Sequence, residues 1–149
     1  MKNELMTKEI CFDMDGTLNN FFEVDGWLDD LIAHNPRPYK VASPSVNMNA
    51  LARHLNRLKK NGYTIKIISW SSKARDVEFD KAVREAKIWW LNKHMPSFKF
   101  DEINVLPYGT PKEEYGHGIL FDDEPQNREN WRGVAYDETN ILGILRSLR

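Results

Sequence analysis

Two aspartates one residue apart follow a short apolar run near the start of the chain. Asp13 and Asp15 come directly after residues 10–12 and are followed by Gly16 and Thr17. Because successive side chains of a strand point to opposite faces, the two carboxylates share a side only at or beyond the strand end. There Gly16 permits a tight bend, and Thr17 can offer its hydroxyl to an anion.

This pairing of carboxylates indicates a particular chemistry. Two such groups repel each other unless a cation lies between them or one of them holds a proton. Both arrangements suit phosphoryl transfer, in which one aspartate is the nucleophile and the other is the acid/base.

Strand-like segments alternate with helix-like segments along the rest of the chain. The strands are predicted at residues 9–12, 64–68, 102–106, 118–121 and 133–136. This alternation predicts an α/β fold in which helices cover both faces of a central parallel sheet. In such folds ligands bind beyond the carboxyl ends of the strands, near the point where strand order reverses.

Polar residues stand at these strand ends. The second strand ends at Ser69, and Asp122 and Asp123 follow the fourth. Lys112 lies in the loop before the fourth strand. We expect all four to converge with the aspartates after the first strand, since the carboxyl ends of parallel strands share one edge of the sheet.

Four helical segments are predicted, three between the strands and one after the last strand. Residues 21–33 are a short aromatic-rich helix that ends before residues 35–38, where two prolines cannot continue it. The next helix begins near Ser45, a natural N-cap, and ends at Asn61 and Gly62. The other two are a long helix that ends at residues 95–96 and a final helix at residues 141–148.

Composition limits the class of protein. A chain of 149 residues with 41% apolar and 29% charged residues is typical of one globular domain, here residues 1–149. A net charge of −1 does not favour a general nucleic-acid or membrane-surface binder. No signal-peptide core or membrane-spanning run is apparent, and Cys11 lies within an apolar run as a core residue. We therefore expect a cytoplasmic protein.

Four segments together resemble the haloacid dehalogenase (HAD) superfamily of phosphatases. Residues 13–17, Asp-Met-Asp-Gly-Thr, resemble its first motif, and residues 67–69 are similar to the second, where Ser or Thr binds phosphate. Lys112 matches the third motif, and residues 119–123 match the acidic fourth. Within the superfamily the chain looks most like small bacterial or phage proteins of the 5'(3')-deoxyribonucleotidase type.

The resemblance implies a fold and a reaction. The fold would be a Rossmann-like, three-layer HAD fold with a minimal helical cap inserted at about residues 18–45. Asp13 would attack phosphorus and become an aspartyl-phosphate. Asp15 would protonate the leaving oxygen and then take a proton from the attacking water.

The resemblance also implies the ligands of phosphate and metal. Thr17, Ser69 and Lys112 would bind the phosphate of a small phosphorylated substrate. Mg²⁺ would be the cofactor, because it prefers hard oxygen ligands. Its ligands would be Asp13, the backbone carbonyl of Asp15, and Asp122, with Asp123 either a fourth ligand or a neighbour of the ligands.

The sequence leaves two classes of substrate open. A (deoxy)nucleoside monophosphate follows from the nucleotidase resemblance, and Phe21, Phe22, Trp27 and Tyr39 either pack the cap onto the domain or contact a base. The cap is shorter than in larger relatives of the deoxyribonucleotidases. A more open site leaves a larger substrate, such as a phosphorylated nucleic-acid end, as an alternative.

Each residue also has a simpler interpretation. Asp15 is compatible with a helix cap, and Ser69 with an N-cap or a turn. Asp122 and Asp123 are compatible with a solvated helix start, where acidic residues favour the helix dipole. Lys73 and Lys99 compete with Lys112 as the functional lysine.

Two other classes of protein remain. A receiver-like signalling domain also uses acids, a hydroxyl, a lysine and Mg²⁺ at the rim of a parallel sheet. It needs its phosphoacceptor aspartate at the end of a middle strand, a place that the sequence assigns to Ser69. A non-catalytic phosphate-, nucleotide- or protein-binding module has no need of both Asp13 and Asp15, and no glycine-rich dinucleotide fingerprint is present.

Overall fold

The computed structural model describes residues 7–149, and within that range it contains five strands and six α-helices. The strands are β1 (Glu9–Phe12), β2 (Thr64–Trp70), β3 (Glu102–Leu106), β4 (Ile119–Phe121) and β5 (Val134–Tyr136). The helices are α1 (Trp27–Ile32), α2 (Arg37–Val41), α3 (Met48–Lys60), α4 (Val77–His94), α5 (Pro125–Asn130) and α6 (Ile141–Ser147). None of the helices in the described range is long and apolar enough to cross a membrane.

The five strands form one parallel sheet in the order β3-β2-β1-β4-β5. In the middle strand, Ile10 pairs with Ile65 of β2 on one side and with Ile119 of β4 on the other. The order of the strands reverses beside β1, because β2 and β3 lie on one side of it and β4 and β5 on the other. The predicted α/β class, with a parallel sheet flanked by helices in a Rossmann-like arrangement, is confirmed.

The hydrophobic core follows the two-residue period of the strands. Ile10 and Phe12 pack in one buried cluster with Leu55 of α3. Cys11 points to the opposite face and packs with Leu120 of β4. Burial of Cys11 raises the pKa of its thiol, so the prediction of a core cysteine is confirmed.

The start of α3 differs from the predicted one. Ser45 is not the N-cap, because the Asn47 side chain accepts the hydrogen bond from the Ala50 amide at 3.0 Å. The Ser45 hydroxyl instead donates to the carbonyl of Thr17 at 2.7 Å. The predicted end of the helix at Asn61 is confirmed.

The segment that links β1 to α3 forms a small helical cap, here defined as residues 21–41. The single helix predicted at residues 21–33 is wrong, since the cap contains a 3₁₀ turn at Phe21–Glu23 followed by α1 and α2. As predicted, the first helix, α1, ends before the prolines, and the prolines begin α2, because proline is well tolerated in a first helical turn. Phe21 and Tyr39, whose ring centroids lie 4.6 Å apart, pack with Phe79 of α4 and attach the cap to the domain.

Candidate functional site

The candidate site lies at the carboxyl ends of β1 and β4, where the order of the strands reverses. Just beyond these strands, the Asp13 amide donates to the carbonyl of Phe121 at 2.9 Å. The Asp122 amide donates to the carbonyl of Tyr136 at 3.0 Å. These bonds extend the sheet by one residue, so the backbones of both aspartates are held by the rigid core.

A tight turn after β1 brings the loop after β4 close to it. Gly16 has a φ of +83°, a conformation that side chains other than glycine rarely adopt. A Cβ atom at Gly16 would also overlap the carboxylate of Asp123. Glycine is therefore required both for the turn and for the approach of Asp123.

Lys112 lies between two of the carboxylates. Its ammonium donates to Asp13 Oδ1 at 2.9 Å and to Asp122 Oδ2 at 2.8 Å, and its side chain is only 2% exposed. Burial alone would lower the pKa of Lys112, but these carboxylates raise it above its ordinary value. Lys73, a competing candidate, lies instead over the ring of Tyr108 at 5.1 Å.

Asp13, Asp122 and Asp123 form a compact carboxylate cluster. Each offers an oxygen atom, and the three oxygens lie within 4.8 Å of one another. Such a set of oxygen donors could hold a hard metal ion. Asp15 extends its carboxylate in another direction, which leaves its backbone carbonyl as its predicted metal ligand.

The carboxylates of the site differ in their affinity for protons. Burial would raise the pKa of Asp13, but the Lys112 ammonium and hydrogen bonds from Asp123 and Lys112 hold it below its usual range. Burial, reinforced by the Asp13 charge, raises the pKa of Asp122 to about 6. Burial and the Asp13 carboxylate raise the pKa of Asp123 to about 8.

Thr17 connects the turn to the carboxylate cluster. Its hydroxyl donates to Asp13 Oδ2 at 2.9 Å and accepts a hydrogen bond from the Asp123 amide at 3.1 Å. Thr17 is fully buried, so the structure places it as a support for the two aspartates. Its predicted contact with phosphate stays a prediction.

Lys87 of α4 joins the other two predicted residues. Its ammonium donates to Asp15 Oδ2 at 3.0 Å and to Ser69 Oγ at 2.6 Å. The second oxygen of Asp15 accepts from the Asn19 side chain at 3.4 Å. Burial raises the pKa of Asp15, and the Lys87 ammonium offsets part of that rise.

Lys87 is the residue that the sequence analysis missed. A signal was present, because Lys87 lies four residues after Val83 and three before Trp90, on the buried stripe of the helix. A lysine on an apolar stripe is almost never fully buried unless it has a charged partner. Its position therefore pointed to an acidic group beneath the helix.

The surroundings of Asp15, Ser69 and Asp122 also test the simpler interpretation of these residues as helix caps or helix starts. Asp15 pairs with Lys87 and does not cap a helix. Ser69 lies within β2 and is not an N-cap. Asp122 is fully buried, which excludes a solvated helix start for it, although α5 begins at Pro125 close behind.

A cavity of about 590 Å³ opens above the carboxylates. Asp13, Asp15 and Lys112 lie at its base, and the cap forms one wall. Phe22, 53% exposed, and Trp27 belong to that wall, and the largely buried Phe21 and Tyr39 also line the cavity. The opposite side includes residues 70–74 and Tyr108.

Comparison with models of known protein families finds no match to this chain, and comparison with curated proteins finds none either. The HAD resemblance therefore rests on the four motifs and stays a prediction.

Proposed function

We propose that this chain is a Mg²⁺-dependent phosphomonoester hydrolase of the HAD type that forms an aspartyl-phosphate on Asp13. The observation that carries the proposal is the pairing of two neighbouring aspartates at the base of one cavity with two different buried lysines, Asp13 with Lys112 and Asp15 with Lys87. In these surroundings the pKa of Asp13 is lowered and that of Asp15 is raised. A nucleophile needs the ionised form and a general acid the protonated form, so this split supports the two roles.

The residues divide the reaction into two displacements. An oxygen of Asp13 attacks phosphorus, and the leaving oxygen takes the proton of Asp15 as its bond to phosphorus breaks. Asp15 then accepts a proton from a water molecule, whose oxygen attacks phosphorus and releases Asp13 and inorganic phosphate. Lys112 and the Ser69 hydroxyl would stabilise the negative charge on the phosphate oxygens.

The charge balance supports a divalent cation. Four carboxyl groups face two buried ammonium groups, and with Asp15 protonated the other three would carry one negative charge more than the ammonium groups balance once they are ionised. Asp13, Asp122 and Asp123 would hold Mg²⁺, with the carbonyl of Asp15 as a further ligand. When bound, Mg²⁺ would neutralise charge on the phosphate and hold it next to the nucleophile.

The test is hydrolysis of a panel of phosphate monoesters with Mg²⁺ and with excess chelator. We expect catalytic release of inorganic phosphate that requires Mg²⁺. Asp13→Asn protein, purified in parallel, controls for contaminating phosphatases. Failure to release phosphate from every ester, or full activity in chelator, would contradict the proposal.

The same experiment separates the hydrolase from a receiver-like domain. The prediction that Ser69 ends the middle strand is wrong, because β1 is in the middle and Asp13 follows it. A receiver would consume a phosphoryl donor once per chain, whereas a hydrolase turns over. The cap over the cavity and the Asp15–Lys87 pair favour the hydrolase.

We propose that the enzyme is located in the cytoplasm, where a free, buried thiol such as Cys11 is common.

Binding of Mg²⁺ is expected to weaken as the pH falls from 8 to 6. Asp123, with a pKa of about 8, and Asp122, with a pKa of about 6, must lose protons before they bind metal. Each proton displaced weakens binding by up to about tenfold per pH unit below the pKa of its carboxyl. Calorimetric titrations at pH 6, 7, 8 and 9 measure this, and Asp123→Asn should flatten the profile between pH 7 and 9. Affinity that is independent of pH would contradict the prediction.

A nucleoside monophosphate is the substrate that the cap favours. Phe22 and Trp27 present aromatic surface to the cavity, and their ring centroids lie 5.2 Å apart. Stacking of a base on such surfaces contributes about 1–3 kcal/mol in other proteins. A phosphorylated nucleic-acid end is the alternative, because the half-exposed Phe22 leaves the mouth of the cavity accessible.

Trp27→Ala is expected to raise KM for a deoxynucleoside monophosphate about tenfold or more, since 1.4 kcal/mol corresponds to a factor of ten. Hydrolysis of a small ester without a base should change little, because its contacts are confined to the carboxylate end of the cavity. Steady-state kinetics on both substrates measure the difference. Trp89→Ala, which removes a tryptophan that is 43% exposed on α4, is the control. Equal losses on both substrates with a lower Tm would show that Trp27 only attaches the cap.

A further inference from the structure

Lys87 makes more contacts with the site than a packing role requires. Besides its bonds to Asp15 and Ser69, its ammonium donates to the carbonyl of Trp70 at 2.7 Å. An ammonium group has three donors, so each of them has a partner. The ring of Tyr39, from the cap, lies 5.1 Å from the nitrogen and covers it.

The surroundings of Lys87 favour an apolar residue. Its neighbours on the buried stripe are Val83 and Trp90, and the side chain is fully buried. Burial of an ammonium group costs free energy unless it is well paired, and apolar replacements of buried ion pairs are often neutral or stabilising. Stability alone therefore does not explain why a lysine occupies this position, whereas a contribution to the reaction does.

The hydrogen bonds that Lys87 donates indicate what it contributes to the reaction. Ser69 Oγ accepts from Lys87, which occupies a lone pair of this fully buried hydroxyl. Asp15 is held on both sides, by Lys87 at Oδ2 and by Asn19 at Oδ1. One ammonium group therefore fixes a hydroxyl from β2 relative to a carboxyl after β1.

We propose that Lys87 is a positioning residue, which holds the Asp15 carboxyl in reach of the leaving oxygen and is itself anchored by Ser69 and the carbonyl of Trp70. The inference rests on the proposed function. Lys87 takes no part in the proton transfer, since the proton that reaches the leaving oxygen comes from Asp15. Its effect on the reaction is therefore exerted through Asp15.

The test compares Lys87→Met with the wild-type protein on two phosphate esters. A nitrophenyl ester has a leaving group that needs little protonation, whereas a simple alkyl ester depends on the general acid. General-acid catalysis contributes about 10²–10⁴-fold, so we expect the rate of phosphoenzyme formation, followed by rapid acid quenching, to fall about 100-fold or more on the alkyl ester. The loss of this rate on the nitrophenyl ester should be smaller than about tenfold, whereas kcat should fall on both esters because the second displacement also needs Asp15. Lys81→Met, at an exposed position of the same helix, should leave both rates unchanged.

Two further variants separate positioning from folding. Lys87→Gln keeps a hydrogen-bond donor without the charge, and it should recover part of the lost rate. In an Asp15→Asn background, Lys87→Met should have almost no further effect on kcat, because residues that act as a unit are not additive.

The outcomes distinguish this inference from the function on which it rests. An inactive wild-type protein would remove both. An active wild-type protein with equal losses in the rate of phosphoenzyme formation on the two esters, or losses of kcat that add to those of Asp15→Asn, would overturn only the role of Lys87. Loss of the folded circular-dichroism spectrum in both Lys87 variants would show a purely structural role and would also overturn it.

Discussion

Asp13→Asn is expected to lower kcat by at least about 10⁴-fold on every phosphate ester, as loss of a nucleophile does in other enzymes. The carboxamide cannot attack phosphorus in the way that a carboxylate does. It has nearly the same size and keeps one oxygen that can accept from Lys112 or Thr17. It also removes one negative charge from the crowded cluster with Asp122 and Asp123, and Lys112 keeps its pair with Asp122, so the protein should still fold.

Three measurements check this result. Steady-state kinetics give the loss of turnover, acid quenching of labelled substrate traps the phosphoenzyme, and thermal unfolding reports on the fold. Asp29→Asn, at an exposed position of α1, is the matched control. Asp15→Asn should still form phosphoenzyme from a nitrophenyl ester and should accumulate it, because the second displacement lacks its base. More than a tenth of wild-type activity in Asp13→Asn would contradict the mechanism.

The strand ends could be predicted because local sequence determines them. Runs of apolar and β-branched residues located each strand to within one or two residues. Parallel strands share their carboxyl edge, so Asp13, Ser69 and Asp122 could be assigned to one rim without knowledge of the strand order. Lys112 was assigned to the site because it matches the third motif of the HAD resemblance. Its ion pairs with Asp13 and Asp122 explain why a lysine occupies this position.

The order of the strands could not be predicted in this way. Local sequence contains no information on which strands become neighbours, and the place of Ser69 in the sheet was therefore misassigned. Lys87 was missed for a related reason, because the face that α4 turns towards β1 depends on tertiary packing. The prolines of the cap were ambiguous, since proline both ends one helix and begins the next.

Lys112→Met is expected to impair both stability and activity. The change leaves Asp13 and Asp122 buried without the ammonium group that separates them. Breaking a buried pair in this way costs about 3–5 kcal/mol. In a domain of this size the loss corresponds to a Tm that is lower by about 6–20 °C. The rate should fall by about 10²–10³-fold or more, as it does on loss of one preorganised charge-stabilising group.

The dependence of this loss on pH identifies its cause. Lys112 lowers the pKa of Asp13 in the folded protein, so its stabilising effect is fully present above the unfolded pKa of an aspartate and is lost only as the pH falls through the lower folded pKa. Without Lys112, Asp13 and Asp122 relieve their repulsion by taking up protons, which is easier at pH 5 than at pH 8. The difference in Tm between wild type and Lys112→Met should therefore shrink as the pH falls from 8 to 5.

Mg²⁺ should restore part of the Tm of Lys112→Met at pH 8, because a cation between the carboxylates replaces the missing charge. Lys99→Met, at an exposed position, should change neither quantity. An equal loss of Tm at all pH values would show that the aliphatic stem of Lys112, and not its charge, stabilises the site.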